Sequence, residues 1–208
     1  RDNYRDLLFN NESNTYTIKF SELSYNNNNQ CGNIIPGQED LTLVKSRIVK
    51  NPVHISKVID VEGKKIAYLM YNQFLGIVES ENKDYNSELN DVFANFISSG
   101  AEELVIDLRY NPGGRISTSI NLASMITGQF NNQVFAKERW NSKLMNYWNE
   151  NSPESLLNKF TNKLDNNQSI SSLNLNRVFV LTSSRTASAS ELLINGLDPY
   201  IDVIHIGD

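Results

Sequence analysis

From Val53 onward, short apolar runs alternate with amphipathic stretches. Residues 65–71 (KIAYLMY), 103–108 (ELVIDL), 177–182 (RVFVLT) and 201–206 (IDVIHI) have the length and the β-branched or aromatic content of buried strands. Between them, residues 88–97 place Leu89, Val92, Phe93 and Phe96 on one helical face, and residues 116–126 do the same with Ile120, Ala123 and Ile126. Residues 188–197 form a third helical stretch after the third strand. Strand and helix alternating at this spacing predict an α/β fold whose sheet has parallel strands and covering helices. Residues 136–172 are polar, carry Trp140, Tyr147 and Trp148, and read as an inserted helical excursion or lid.

The first fifty residues have another character: strands at 15–20 and 41–48, with an asparagine-rich loop at 26–29. Their apolar positions are too few for an independent core, because so small a unit buries too little of its surface. They read as part of a β-domain whose remainder lies upstream. Asn51-Pro52 marks the boundary, since proline disfavours helix in the residue before it and has no N–H for a ladder. The expected organisation is therefore residues 1–50 and residues 51–208. The chain begins with Arg and not Met, which reads as a processed or truncated product.

Composition narrows the chemistry. Of 208 residues 39% are apolar, and 19 basic against 24 acidic side chains leave a net charge of −5. With no basic stripe, a nucleic acid is excluded as the main partner. The one cysteine, Cys31, cannot form an intrachain disulfide and has no neighbouring Cys/His cluster for zinc. No apolar run approaches the ~20 residues of a membrane span, and RDNYRDLL is not a signal peptide.

Ligands gather at the carboxyl ends of the strands in open α/β sheets, so the turns after each strand carry the candidate chemistry. The first runs from Asp107 through Asn111-Pro112-Gly113-Gly114 into a helix. Paired glycines turn tightly and expose N–H groups, which suits an oxyanion hole, although an ordinary strand-to-helix turn has the same composition. It has neither P-loop nor GxGxxG spacing. The second, Leu181 to Glu191 (LTSSRTASASE), again opens a helix. A helix N-cap needs one hydroxyl, not five, so a capping box of Ser188 with Glu191 accounts for only part of the pattern. Small neighbours would let a substrate backbone approach a serine Oγ at the helix N-terminus. Serine needs a base. Of the two histidines, His54 sits in the linker after Pro52 and reads as exposed, and His205 reads as a half-buried core residue of its strand. A desolvated lysine is the alternative base, but none follows the candidate serine in these 208 residues.

The pair LVIDLRYNPGG (104–114) and LTSSRTASASE (181–191) resembles the C-terminal processing peptidases, or tail-specific proteases. These are serine peptidases related to the tricorn protease core, and the likeness is to bacterial cell-envelope members. It extends through KKIAYLMYN (64–72) and residues 191–208, covering residues 51–208, and residues 1–50 resemble the second half of a PDZ-like domain. The resemblance implies a ClpP/crotonase-like α/β core with a partial β-rich PDZ-like segment at its N-terminus. It makes Ser188 the nucleophile, with Ala189 giving one oxyanion N–H and Gly113 or Gly114 the other. The family's general base is a lysine about 25 residues after the serine, about five residues beyond Asp208, so the 1–208 chain is expected to be inert. Implied substrates are polypeptide tails or loosely folded proteins, in the periplasm or cell envelope, with no cofactor and no metal. Two other readings stand beside it. One is a non-catalytic peptide-binding relative on the same fold; the other is crotonase-type acyl-CoA chemistry, against which the lack of a basic, phosphate-friendly loop counts.

Overall fold

A computed structural model describes residues 14–25, 31–46 and 50–208. The asparagine-rich loop and residues 47–48 of the expected second strand lie outside the described residues. The chain divides into two compact units, Arg1–Lys50 and Asn51–Asp208.

The first unit is an antiparallel ribbon of β1 (Thr15–Tyr25) and β2 (Cys31–Val44), in which Thr17 pairs with Thr42 and Ile18 with Leu41. β2 begins ten residues before the expected strand at 41 and ends at Val44. Pro36 and Gly37 disguised it as loop. A two-stranded ribbon has free edges on which proline is tolerated. Gly37 lies so close to β1 that a Cβ there would stand 2.5 Å from the Phe20 carbonyl oxygen. The register shifts at the same place, between Lys19 and Ser21.

The second unit is built on a five-stranded sheet. In chain order its strands are β3 (Val53–Val61), β4 (Lys64–Tyr71), β7 (Glu103–Asp107), β10 (Arg177–Leu181) and β11 (Asp202–Ile206). Across the sheet they run β11-β10-β7-β4-β3, all neighbours parallel except β3, which is antiparallel to β4. Two short pairs, β5 (Ile77–Val78) with β6 (Lys83–Asp84) and β8 (Val134–Lys137) with β9 (Leu157–Lys159), decorate the loops. The four parallel strands stand where their apolar runs predict them. β3 is not among the expected strands and occupies the stretch after Pro52 in which His54 was expected in a linker. As an edge strand it buries little, leaving only Val53 and Val58 half-buried. The signal available was Glu62-Gly63: both residues have positive φ, as a two-residue hairpin requires.

Four α-helices occur among the described residues: α1 (Tyr85–Ser98), α2 (Ile116–Thr127), α3 (Ser142–Asn151) and α4 (Ala189–Leu197). α1 starts three residues ahead of expectation because Asp84 Oδ1 caps it, accepting from the N–H groups of Asn86 and Ser87. Ala67, Leu69, Leu104, Ile106, Val178 and Val180 alternate to one face of the sheet and form the core with Leu89, Phe93, Leu122, Ile126 and Leu193 of α1, α2 and α4. Within residues 136–172 the α-helix is confined to α3, which buries no residue; Leu156, Phe160 and Leu164 then return to the interior.

Each fully buried aliphatic side chain contributes about 1.5–3 kcal/mol by its removal from water. Ile106, fully buried in the central strand β7, tests the core. Ile106→Ala should lower the unfolding free energy by about 2–5 kcal/mol, read from urea midpoints. A midpoint equal to that of the parent protein would contradict the packing.

Candidate active site

β7 and β10 are neighbours, so the turns that leave their carboxyl ends emerge side by side. The last rung between them is the Leu108 N–H donating to the Leu181 carbonyl at 2.8 Å. Beyond it, side chains make most of the bonds. Thr186 Oγ1 donates to the Leu108 carbonyl at 2.8 Å and accepts from Ser183 N–H at 3.0 Å. Ser183 Oγ donates to the Arg109 carbonyl at 2.5 Å. Ser190 Oγ donates to the Asn111 carbonyl at 3.1 Å, and Ala187 N–H donates to the same oxygen at 3.2 Å. The hydroxyl run that exceeded any capping need is thus a set of braces between two turns.

Ser188 differs from those neighbours. It is exposed, whereas Ser190 is fully buried, and it stands at the N-cap of α4 with φ 58° and ψ −114°. A non-glycine residue rarely adopts such a backbone, and where one does the site often carries function. The turn is held by Glu191, whose Oε2 accepts from Ser188 N–H at 2.6 Å in the capping box expected from the sequence. Ala189, the first residue of α4, has an N–H without an intrahelical acceptor, as every helix start does.

Gly113 and Gly114 face this serine from the other turn. A Cβ on Gly113 would lie 2.7 Å from Ser188 Cβ and 2.8 Å from the Ala189 nitrogen; one on Gly114 would overlap the Phe74 carbonyl. Both have positive φ, 102° and 144°. No other residue type fits either place. Their N–H groups are not equivalent. Gly113 N–H donates to Asn111 Oδ1 at 2.8 Å. Phe74, just past β4, donates its N–H to the Gly113 carbonyl and accepts from Arg115 N–H, forming a parallel bridge with Gly114. In such a bridge the middle residue turns its own N–H away from the partner chain. Gly114 N–H therefore points away from Phe74, to the β10 side, and has no protein acceptor among the described residues.

Beneath the glycine turn, Asp107 is fully buried at the end of β7. Arg109 Nη2 donates to its Oδ2 at 2.6 Å, Arg109 Nε to its Oδ1 at 2.9 Å, and Tyr68 Oη to its Oδ2 at 2.7 Å. Burial pushes this carboxyl up, but the guanidinium and the phenol bonded to it outweigh burial and hold it below its ordinary 3.8. For Tyr68, burial and the carboxylate both push the phenol up. In the sequence Asp107 and Arg109 stand only as parts of a motif; the signal for their pairing was an acid and a base two residues apart at a strand end.

The histidines lie elsewhere. His54 is exposed on the edge strand β3, not in a linker, and His205 is exposed on the edge strand β11, not half-buried. His205 Nε2 sits 2.5 Å from Thr182 Oγ1, and neither ring bonds Ser188. Among the described residues no group of three His, Cys, Asp or Glu side chains could hold a metal, and no helix is long and apolar enough to cross a membrane.

A mainly parallel α/β sheet thus sets a strained serine against a glycine turn at the carboxyl ends of two neighbouring strands. The sequence model of peptidase family S41 matches residues 65–207, and the chain belongs to that family, the C-terminal processing peptidases. The crystal structure of a protein described as an S41 protease from Bacteroides fragilis NCTC 9343 is similar over 94% of this chain, at 31% identity and a TM-score of 0.66. The photosystem II D1 C-terminal processing protease shares the fold over 80% of this chain and 39% of its own, at 17% identity and a TM-score of 0.50. No curated protein matches the sequence. The chain spans about half the length, 48%, of the Bacteroides protein.

The Asp107 cluster carries a pH signature. A carboxyl whose folded pKa is depressed adds stability that is complete above its ordinary 3.8 and is lost as pH falls through the folded value. Asp107→Asn should therefore lower the urea midpoint at pH 7, and the gap between variant and parent should close on acidification below 3.8. A gap independent of pH would show that the charge contributes nothing.

Proposed function

We propose that the protein is a serine endopeptidase acting on polypeptide tails or unfolded proteins, with Ser188 as nucleophile and a lysine base supplied from outside these 208 residues. The single observation that carries this reading is the strained, exposed Ser188 at the start of α4, packed against Gly113 so closely that no Cβ fits between them. Ser188 Oγ attacks the scissile carbonyl carbon and its proton passes to the base. The carbonyl electron pair becomes an oxyanion, held by Ala189 N–H and by Gly114 N–H, the one of the two glycine donors left free. Collapse expels the amine, which takes the proton from the base, and water repeats the sequence on the acyl-enzyme. Residues 51–208 form a ClpP/crotonase-like core, and 1–50 the C-terminal part of a PDZ-like domain that grips a peptide by strand addition. Segment 136–172 is an insertion or lid, and the protein works in the periplasm or cell envelope. A peptide-binding role without catalysis is favoured by one observation, the capping box that engages Ser188 and Glu191 as a helix cap.

In the full-length protein, Ser188→Ala should fold and lose hydrolysis of a casein-type substrate; equal turnover by the variant removes the assignment. A fluorophosphonate should label Ser188 and not Ser190, whose hydroxyl is buried and bonded to Asn111. Lack of labelling in the intact protein favours the binding reading. Gly114→Val should depress turnover about 10²–10³-fold with a smaller effect on KM, the usual consequence of losing an oxyanion donor. A lysine is active as a base only when neutral, so kcat/KM should rise with pH to a plateau and be unaffected by His205→Ala. Loss of activity in that variant would make histidine the base.

A further inference from the structure

Asn111 is fully buried, and each of its polar groups is spent. Its N–H donates to the Leu108 carbonyl at 2.9 Å, and Nδ2 donates to the Tyr71 carbonyl, at the end of β4, at 2.9 Å. Oδ1 accepts from Gly113 N–H, and the backbone carbonyl accepts from both Ala187 N–H and Ser190 Oγ. One residue therefore ties the end of β4, the glycine turn and the serine turn together. Asn111 bonds none of the functional groups itself, and its partners flank them. Gly113 precedes Gly114, while Ala187 and Ser190 bracket Ser188 and Ala189. A turn glycine with a free N–H could present either donor; the amide of Asn111 removes Gly113 from the choice.

Resting on the peptidase reading, we propose that Asn111, latched by the Ser190 hydroxyl, is a positioning residue that sets the spacing between the Gly114 and Ala189 N–H groups. It thereby governs stabilisation of the oxyanion and not capture of the substrate. Donors held by a rigid shell stabilise developing charge without reorganising, and a displacement well under 1 Å weakens them. A neutral ground-state carbonyl depends on them far less.

The test uses the full-length protein, with Ser190→Ala and Asn111→Ala variants. Ser190→Ala removes one oxygen from a buried site and should leave the thermal midpoint within a few degrees. Its kcat should fall about 10–100-fold with KM within about twofold, and affinity for a peptide aldehyde, whose adduct places an oxyanion in the hole, should fall in parallel with kcat. Asn111→Ala should show the same pattern more strongly; if it does not fold, Ser190→Ala decides alone. A loss confined to KM, or Ser190→Ala with unchanged kcat and aldehyde affinity, overturns the inference while leaving the peptidase reading intact. Failure of a fluorophosphonate to label Ser188 in the parent protein overturns both, and so separates the two failures.

Discussion

The site depends on one steric constraint: the contact between Gly113 and the serine turn leaves no room for a Cβ. Adjacent strands of a sheet lie about 4.8 Å apart, so the chains leaving β7 and β10 begin as neighbours. The regular ladder between them ends at Leu108 and Leu181, and past it one main-chain bond remains, from Ala187 N–H to the Asn111 carbonyl. To remain in contact past that point, the two turns must interlock, and a glycine at 113 is what lets Ser188 and Ala189 close onto the opposite backbone. The positive φ of Ser188 follows from the same closure. The chain reverses sharply from a strand exit into α4, and the strain is held by Glu191 below and by the braces from Ser183, Thr186 and Ser190.

Those braces explain why a cluster of small hydroxyl residues surrounds a single exposed serine. Loops carry backbone carbonyls that no ladder satisfies, and a buried one without a donor is destabilising. Leu108, Arg109 and Asn111 each present such a carbonyl, and each receives a hydroxyl from the serine turn. Short side chains suit this task because little rotamer entropy is lost when they are fixed. The pattern also separates Ser188 from Ser190: one residue is exposed at a helix start, while the hydroxyl of the other is consumed within the fold.

The buried Asp107 serves the same end from beneath. A carboxylate with no exposed surface is tolerated only when paired and hydrogen-bonded, and Arg109 meets it with two nitrogens while Tyr68 supplies a third donor. Arg109 lies two residues past Asp107, at the bend just before the glycine turn that Asn111 N–H closes onto the Leu108 carbonyl. Because Tyr68 comes from β4, it also anchors that bend to the neighbouring strand.

Local pattern was sufficient for much of this molecule. The runs at 65–71, 103–108, 177–182 and 201–206 are legible as buried strands because burial imposes a composition that needs no knowledge of partners. The helical faces of Leu89, Phe93 and Phe96 are legible for the same reason, and the serine turn stands out because a run of hydroxyl residues is unusual at a strand end. The edge strand β3 and the proline-bearing β2 were hidden, since a strand that buries little carries little hydrophobic signature. The sequence also left open which glycine N–H is free, which serine is exposed and what Asn111 holds. Those properties rest on contacts that no single segment contains, such as Asn111 Nδ2 with the Tyr71 carbonyl, Phe74 with Gly114 and Ser190 with Asn111. Periodicity reports what one segment prefers; only the folded chain decides where each hydroxyl and each N–H points.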